Sequence, residues 1–523
     1  MTVRTNGTAL QVCRLRVPPK PGGSMRHSSI GERILATILT AVFVVGISGH
    51  VVAQPLPETT QPWTYTLLEG SQLTDDCPIC DRLPTVVPMR GKFDLQLIEE
   101  HPLYTRYAVQ NISFTAGAPF GHFYKMSGQG TLQVGGEVAL VQAMSLEVEI
   151  DNGATKTLSY MTNVTGLVER LWPMIKIQLL QTNGTQTQVY ELELAAAPLR
   201  EIWFSTKHGF HPGEPASATN YVSGGDLISS AGRVVKRQHE LTARLGFMPV
   251  VPDLGLDALD ILPKSEIGFS TEEGGFSETL GIQLHEGDAL SNCGRVLHSY
   301  ADLIGAFGPE PPPADQGLDA LHTGSSNEIY FSIEQDFFSE ILGRTIRRGD
   351  LLSGQGLVLK TNEQLIARFN PSEPKKDYGL DALWVWPSGE IWFSTEEGFY
   401  GQHFEHYGHG DLLSDQGYVV FRNLELLNRF APLEDLADFG LDGLFIVSDA
   451  TPLPAAPRFN GVHRNPASGV VVLQWQGEGR VFQVERAGDV AGPFAPLSEI
   501  VPELSFEDTN SPGANAFYRL RHW

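Results

Sequence analysis

The chain has 523 residues, 41% hydrophobic and only 19% charged, with 54 glycines and 34 prolines. That composition excludes a disordered chain or an all-membrane protein and points to several globular domains rich in turns. Its 37 basic against 61 acidic residues give a net charge of −24, which excludes sequence-independent nucleic-acid binding, because that needs cationic surface to displace counterions.

Residues 1–53 read as a secretory signal peptide. Arg4, Arg14, Arg16, Lys20, Arg26 and Arg33 are set against a single acid, Glu32, an apolar run covers 34–47, and Val51-Val52-Ala53 supplies a small-residue exit. This is the order of an export address, and the apolar run is shorter than the ~20 residues a membrane span needs. Met25 is a second candidate start, and an uncleaved anchor is the rival reading. Removal of 1–53 leaves 31 basic and 60 acidic residues, a net −29. The expected product is acidic and secreted, periplasmic or at the cell surface, with no membrane span after signal removal and no nucleic-acid partner.

After a linker at 54–62, residues 63–197 read as a β-rich, sandwich-like or curled-sheet domain. Leu146-Glu147-Val148-Glu149-Ile150 alternates up to Asn152-Gly153. Ile175, Ile177 and Leu179 alternate up to Asn183-Gly184, and Tyr190, Leu192 and Leu194 alternate after it. Such alternation around turn-forming pairs is the hairpin pattern. Cys77 and Cys80 form a C-x-x-C read first as a local disulfide, with free thiols or chemistry as alternatives. Cys293 stands apart and reads as a small apolar residue.

Residues 198–447 are predicted to hold four copies of one unit of about 62 residues. Glu201-Ile202-Trp203-Phe204-Ser205-Thr206 returns from Glu266, Glu328 and Glu390, at steps of 65, 62 and 62 residues. Gly-Asp recurs at Asp226, Asp288, Asp350 and Asp411. Gly-Leu-Asp-Ala-Leu recurs at Gly255, Gly317 and Gly379, and as Gly-Leu-Asp-Gly-Leu at Gly440. Short strands separated by turn residues at this period indicate a β-propeller-like array, with an open solenoid or separate small domains as the alternatives. The last copy ends on a box that the first lacks, so a ring would pair 441–447 with 201–206 and remove exposed sheet edges. Tyr190-Glu191-Leu192-Glu193-Leu194 is a rival first strand that would leave the array open. The stretch from Asn423 to Phe430 reads equally as a helical turn or a strand. A Pro/Ala linker at 448–458 leads to a module at 459–523 with about six short alternating strands.

The Gly-Leu-Asp-Ala-Leu and Glu-Ile-Trp-Phe-Ser-Thr-Glu boxes resemble tandem repeats in uncharacterised secreted proteins of Gram-negative bacteria. Val471-Val472-Leu473-Gln474-Trp475, Val484-Glu485-Arg486 and Phe517-Tyr518-Arg519 resemble a fibronectin type III-like C-terminal module. The resemblance implies export and modular all-β architecture; it carries no assigned activity and no catalytic residue.

The chain beyond residue 53 has no Gly-x-Ser-x-Gly elbow, no phosphate-binding Gly-x-x-x-x-Gly-Lys loop and no His-Glu-x-x-His. Glu272-Glu273 and Glu396-Glu397 read as solvated strand ends rather than a glycosidase pair. His403, Glu405, His406, His409 and Asp411 have the chemistry of a metal site but lie where the other repeats vary, so an exposed loop is the plainer reading. Asp257, Asp319, Asp381 and Asp442 read as turn caps, the alternative being a ring that holds a hard cation such as calcium; no other cofactor is expected. Trp203, Tyr330 and Trp392 share one position and read as blade packing, with sugar stacking the alternative. The expected function is a secreted, non-enzymatic binding or scaffold protein whose partner is an extracellular glycan or protein. A hydrolase or lyase on propeller loops and a structural spacer are the rivals.

Overall fold

The computed structural model describes residues 61–523 except 119, 137–138, 164–165, 214–220, 311–314, 325–326, 452–454, 466–467 and 511–515; the signal peptide, its alternative start and nearly all of the first linker lie outside the described residues.

The N-terminal sheet is curled to closure. Gln72–Asp76, Thr85–His101, Tyr104–Gly117, Phe123–Gly135, Val141–Asp151, Lys156–Thr162, Ile175–Gln181 and Val189–Ala197 pair in that antiparallel order, and the last pairs back with the first. Trp63–Leu67 lies in the same slot as Gln72–Asp76, bridging Val189–Ala197 and Thr85–His101. The result is an eight-position barrel without free edges. Alternation drives it: Met144, Leu146, Val148 and Ile150 point inward to join Phe93, Phe114 and Met161 in a packed interior, while Glu147 and Glu149 point out. An apolar inside and a polar outside reverse the arrangement of a lipid-facing barrel. Val189–Ala197 belongs to this barrel, so the rival that would have left the repeats open does not arise.

The repeats form four antiparallel sheets of four strands each. The inner strands are Leu259–Leu262, Ala320–Thr323, Leu383–Val385 and, from the far end of the array, Leu444–Ser448; they contact one another in a cycle. The last docks on Leu199–Phe204, with Ile202 opposite Ile446 and Phe204 opposite Leu444. The first blade is thus made of one strand from the end of the array and three from its start. The undecided segment is a helical turn in every blade: Gln238–Thr242, Tyr300–Gly305, Asn362–Ile366 and Asn423–Leu426. Trp203 and Trp392 are fully buried, each indole donating to Glu201 or Glu390 of its own strand. Tyr330 is half-buried and donates to Glu328.

One interaction repeats around the ring. Each box serine donates to the leucine carbonyl of the next Gly-Leu-Asp box: Ser205 to Leu256 (2.6 Å), Ser270 to Leu318 (2.7 Å), Ser332 to Leu380 (2.6 Å) and Ser394 to Leu441 (2.6 Å). The fourth bond crosses the closure. A second set of clasps lies further out, where the hairpin of one blade meets the segment after the helix of the one before: Phe247 opposite Ser277, and bridges Pro309–Ser339, Pro371–Gly401 and Pro212–Pro432.

Residues 458–523 contribute two three-stranded sheets, Arg458–Arg464 with Val471–Gln476 and Ser505–Asp508, and Ala495–Pro496 with Phe482–Ala487 and Phe517–His522. They enclose Leu473, Trp475, Phe482 and Val484. Residues 62–523 pack as one unit, and Asp449 joins its three parts. Its carboxylate accepts from the Thr64 amide at the barrel entrance, from Arg200 where the array begins, and from Arg521 and the Trp523 indole at the C-terminus. Burial would raise this carboxyl, but Arg200 and Arg521 hold it below the usual carboxylate range.

Two substitutions test these joints. Ser332→Ala leaves the buried Leu380 carbonyl without its donor and is expected to cost about 1–3 kcal/mol in urea denaturation. Asp449→Ala leaves two half-buried guanidinium groups without their carboxylate and is expected to cost about 3 kcal/mol, with faster proteolysis around Asp449 as the accompanying readout.

Candidate functional site: the acid cluster at the end of the propeller axis

The two repeated sets of aspartates differ in their hydrogen bonds. Those of the Gly-Asp pairs cap their own blade. Asp226 accepts from the Ser223 and Gln238 amides, Asp288 from His285 and Tyr300, and Asp411 from Gly408 and Asn423, in each case joining a turn to the helix after it. Asp350 accepts from the Arg347 amide and pairs with Arg344. A third set, Asp253, Asp315, Asp377 and Asp438, accepts from the box-glycine amides Gly255, Gly317, Gly379 and Gly440. It has the same period as the boxes, two residues before each box glycine.

Asp257, Asp319, Asp381 and Asp442 are arranged otherwise. All four are buried, 2–5% exposed. Asp257 Oδ2, Asp319 Oδ2, Asp381 Oδ2 and both Asp442 oxygens have no hydrogen-bond donor. Each sits at the start of an inner strand, so ring closure gathers all four around one end of the axis. The residue after each Ser-Thr or Ser-Ile step joins them: Lys207, Glu272, Glu334 and Glu396. These side chains lie over the box glycines, where an added Cβ on Gly255, Gly317, Gly379 or Gly440 would come within 2.3–2.6 Å of them; the glycines also take φ of +69 to +81°. Only glycine meets both demands.

Among the described residues, Asp257, Asp319 and Glu334 place one ligand oxygen each within 4.8 Å of one another. Glu334 and Glu396 are half-buried, and Glu396 also binds Arg348. The expectation of a solvated strand end therefore fails for Glu396, because its strand ends at the axis rather than at the rim, while Glu272 is exposed. Burial, then neighbouring carboxylates, push Asp257, Asp319 and Asp381 well above the usual range. Burial and then Glu272 push Asp442 up to about 7. Burial, then Glu286 and Asp315, push Glu334 up to about 7. Burial alone would lower Lys207, but Asp381 and Asp442 raise it. The ammonium thus serves one side of the ring, and Asp257, Asp319 and Glu334 form the other.

The axis is not an open channel. His322 packs on Trp384 with ring centroids 4.5 Å apart, and Trp384 on Phe445 at 5.5 Å. Beyond this plug the C-terminal module covers the opposite end, where Arg480 reaches Asp260 and the Thr323 carbonyl.

The other candidate residues are dispersed. His403, Glu405 and His406 are exposed, while His409 is half-buried with Nε2 3.7 Å from Asp438. Asp411 is directed to its cap and to Arg422. Among the described residues these five give no group of three with ligand atoms as close as the axial one. Cys77 and Cys80 are joined as a disulfide at the edge of the barrel, and Cys293 is half-buried.

The acid end carries a further repeated feature. Each Glu-Ile strand leads from the axial cluster into a hairpin that returns to the next strand, so the hairpins rim this face. At their equivalent positions stand Phe276, Phe338 and Tyr400, 44%, 46% and 54% exposed. Their partners within each hairpin are polar, Gln283, Thr345 and His406, while Phe276 also faces Met248 of the preceding blade. In the first blade His211 takes the place, beside the 47%-exposed Tyr221.

No family model matches the chain, and no curated protein matches it. Among solved structures, it is similar to the extracellular domain of a protein described as a hybrid two-component system of B. thetaiotaomicron, with 8% identity over 82% of each chain and a TM-score of 0.19. An overlap that low carries no argument about fold or ligand.

The cluster has a consequence for stability. A carboxyl whose folded pKa lies above its unfolded value adds stability that is complete below the unfolded pKa and is lost as pH rises through the folded one. For Asp442 and Glu334 that loss begins in the ordinary carboxylate range, at about 4, and is complete at about 7. In chelator, the melting temperature is expected to fall as pH rises from about 5 to about 7 and then to level off, and Asp442→Asn is expected to flatten the fall. A flat profile in the parent protein would contradict the geometry.

Proposed function

We propose that the chain is a secreted, non-enzymatic binding protein that presents the acid-end face of its propeller to an extracellular glycan. The observation that carries this reading is the recurrence of a half-exposed aromatic beside a polar cross-strand partner on the outer hairpin of successive blades, at Phe276, Phe338 and Tyr400. Nothing in blade packing requires an aromatic there, because the neighbouring Ser277 and Ser339 already face inward. Each ring has a polar partner across its own hairpin, so a sugar can stack on the ring and bond to the partner. A pyranose lays its C–H face on such a ring and turns its hydroxyls to the adjacent amide, hydroxyl or imidazole. The rigid ring fixes the spacing of these positions, so a polymer contacts several at once and gains affinity by multivalency.

Export rests on the signal-like sequence at 1–53. The resemblance to secreted bacterial repeat proteins with a fibronectin type III-like end agrees with it, and no helix among the described residues is long and apolar enough to cross a membrane. The test is a glycan screen on the full chain, followed by Phe276→Ala, Phe338→Ala and Tyr400→Ala singly and together. Each single change is expected to weaken polysaccharide binding roughly five- to tenfold, or about 1 kcal/mol, and the triple change to abolish it with the melting temperature unchanged. Binding indifferent to all three rings, or release of shortened glycan by the parent protein, would sink this reading.

A further inference from the structure

We propose that the acid end of the propeller axis is a calcium site, in which Asp257, Asp319 and Glu334 supply the carboxylate ligands. Three observations carry it, none of which involves the aromatic rim. The first is the placement of oxygens. The ligand atoms of Asp257, Asp319 and Glu334 lie within 4.8 Å of one another. Three oxygens that close can share one cation, since oxygens bound to one calcium at about 2.3–2.6 Å are at most about 5.2 Å apart.

The second is the lack of donors. Asp257 and Asp319, each at least nine-tenths buried, leave one oxygen without a donor beside Glu334, although buried polar atoms nearly always find a partner. The fold does know how to satisfy a repeated aspartate: the Gly-Asp set and the Asp253 set accept backbone amides at the same period. A turn-capping role therefore accounts for those sets and fails for this one.

The third is charge. Seven carboxylates and one ammonium meet here, and Lys207 stands where the other blades have Glu272, Glu334 and Glu396. Its side chain lies over Gly440, in the box of Asp442, whereas Glu334 lies over Gly317, in the box of Asp319, so its charge is offered at a different part of the ring. Carboxylates with no nitrogen or sulfur ligand among them select a hard cation. Asp257 belongs to one blade and Asp319 and Glu334 to the next, so the ion is also a tie across a blade interface.

The test uses the full chain stripped with chelator. Calorimetric titration with calcium is expected to show one ion per chain, and calcium is expected to raise the melting temperature. Magnesium should bind at least tenfold more weakly. In Asp257→Asn/Asp319→Asn, calcium uptake and the thermal shift are expected to vanish, while the calcium-free melting temperature equals or exceeds that of the parent, since two repelling carboxylates become neutral amides of the same shape. Should that variant fail to fold, Glu334→Gln at the half-buried position is expected to weaken calcium at least tenfold. Lys207→Gln is expected to tighten binding severalfold, a direction that a purely structural lysine would not produce. No calcium uptake at millimolar concentration, or uptake undiminished in both carboxylate variants, overturns the site.

Discussion

The four serine hydrogen bonds that run from each blade to the next are the constraint on which the rest of this molecule depends. Each hydroxyl is buried, and each joins the second strand of one blade to the inner strand of the following one. Because the last bond runs from Ser394 to Leu441, and Leu441 leads into the strand that completes the first blade, the set is satisfied only in a closed ring. An open array would leave the Leu441 carbonyl and the edge of Leu199–Phe204 without partners, and unpaired buried groups and bare strand edges are both costly. The small residues after the boxes, Ala258, Ala320, Ala382 and Gly443, follow from the same geometry: a Cβ on Gly443 would stand 2.7 Å from Leu259 and 3.0 Å from Ser205.

Closure also creates the site. Each Gly-Leu-Asp box lies one step from a serine bond, so drawing the inner strands together also draws four aspartates together at one end. The two ends of the axis then diverge. At one, the side chains after the boxes fill the core and Arg480 of the C-terminal sheets covers it. At the other, the strand following each serine lifts away into a hairpin, leaving the acids beneath a rim of exposed rings. The barrel and the C-terminal sheets pack on other parts of the array, through Arg90 with Glu425 and through Asp449.

Repetition constrains this face in two ways. Positions that serve the blade itself are filled with near identity, as with the serines, the box glycines and the capping aspartates. Positions that look outward keep a chemical character while varying in residue, as Phe276, Phe338 and Tyr400 do. The axial ring lies between these cases. It is identical in its four aspartates, yet its second layer holds three glutamates and one lysine, so fourfold pseudo-symmetry gives way to a two-sided charge distribution.

Much of the fold was legible because it is local. Period-2 alternation marked the barrel strands, the 62-residue period marked the blades, and the complementary ends of the array foretold that 441–447 would meet 201–206. The helical turn at Asn423 was ambiguous, since a four-residue element has too short a period to declare itself. The His403–Asp411 loop drew attention because its ligands are adjacent in sequence, yet adjacency in a turn disperses side chains. The axial acids were visible as a repeat but not as a cluster, and Glu334 and Lys207 were invisible as members of it. By itself, the sequence determined strand content, period and the chemistry available at each repeated position, because these depend on neighbours a few residues apart. Only the tertiary structure decided which repeated aspartates meet donors and which meet each other. That depends on distances across the ring between residues some 60 to 185 positions apart, and a hydrogen bond or a repelling pair is set by such distances alone.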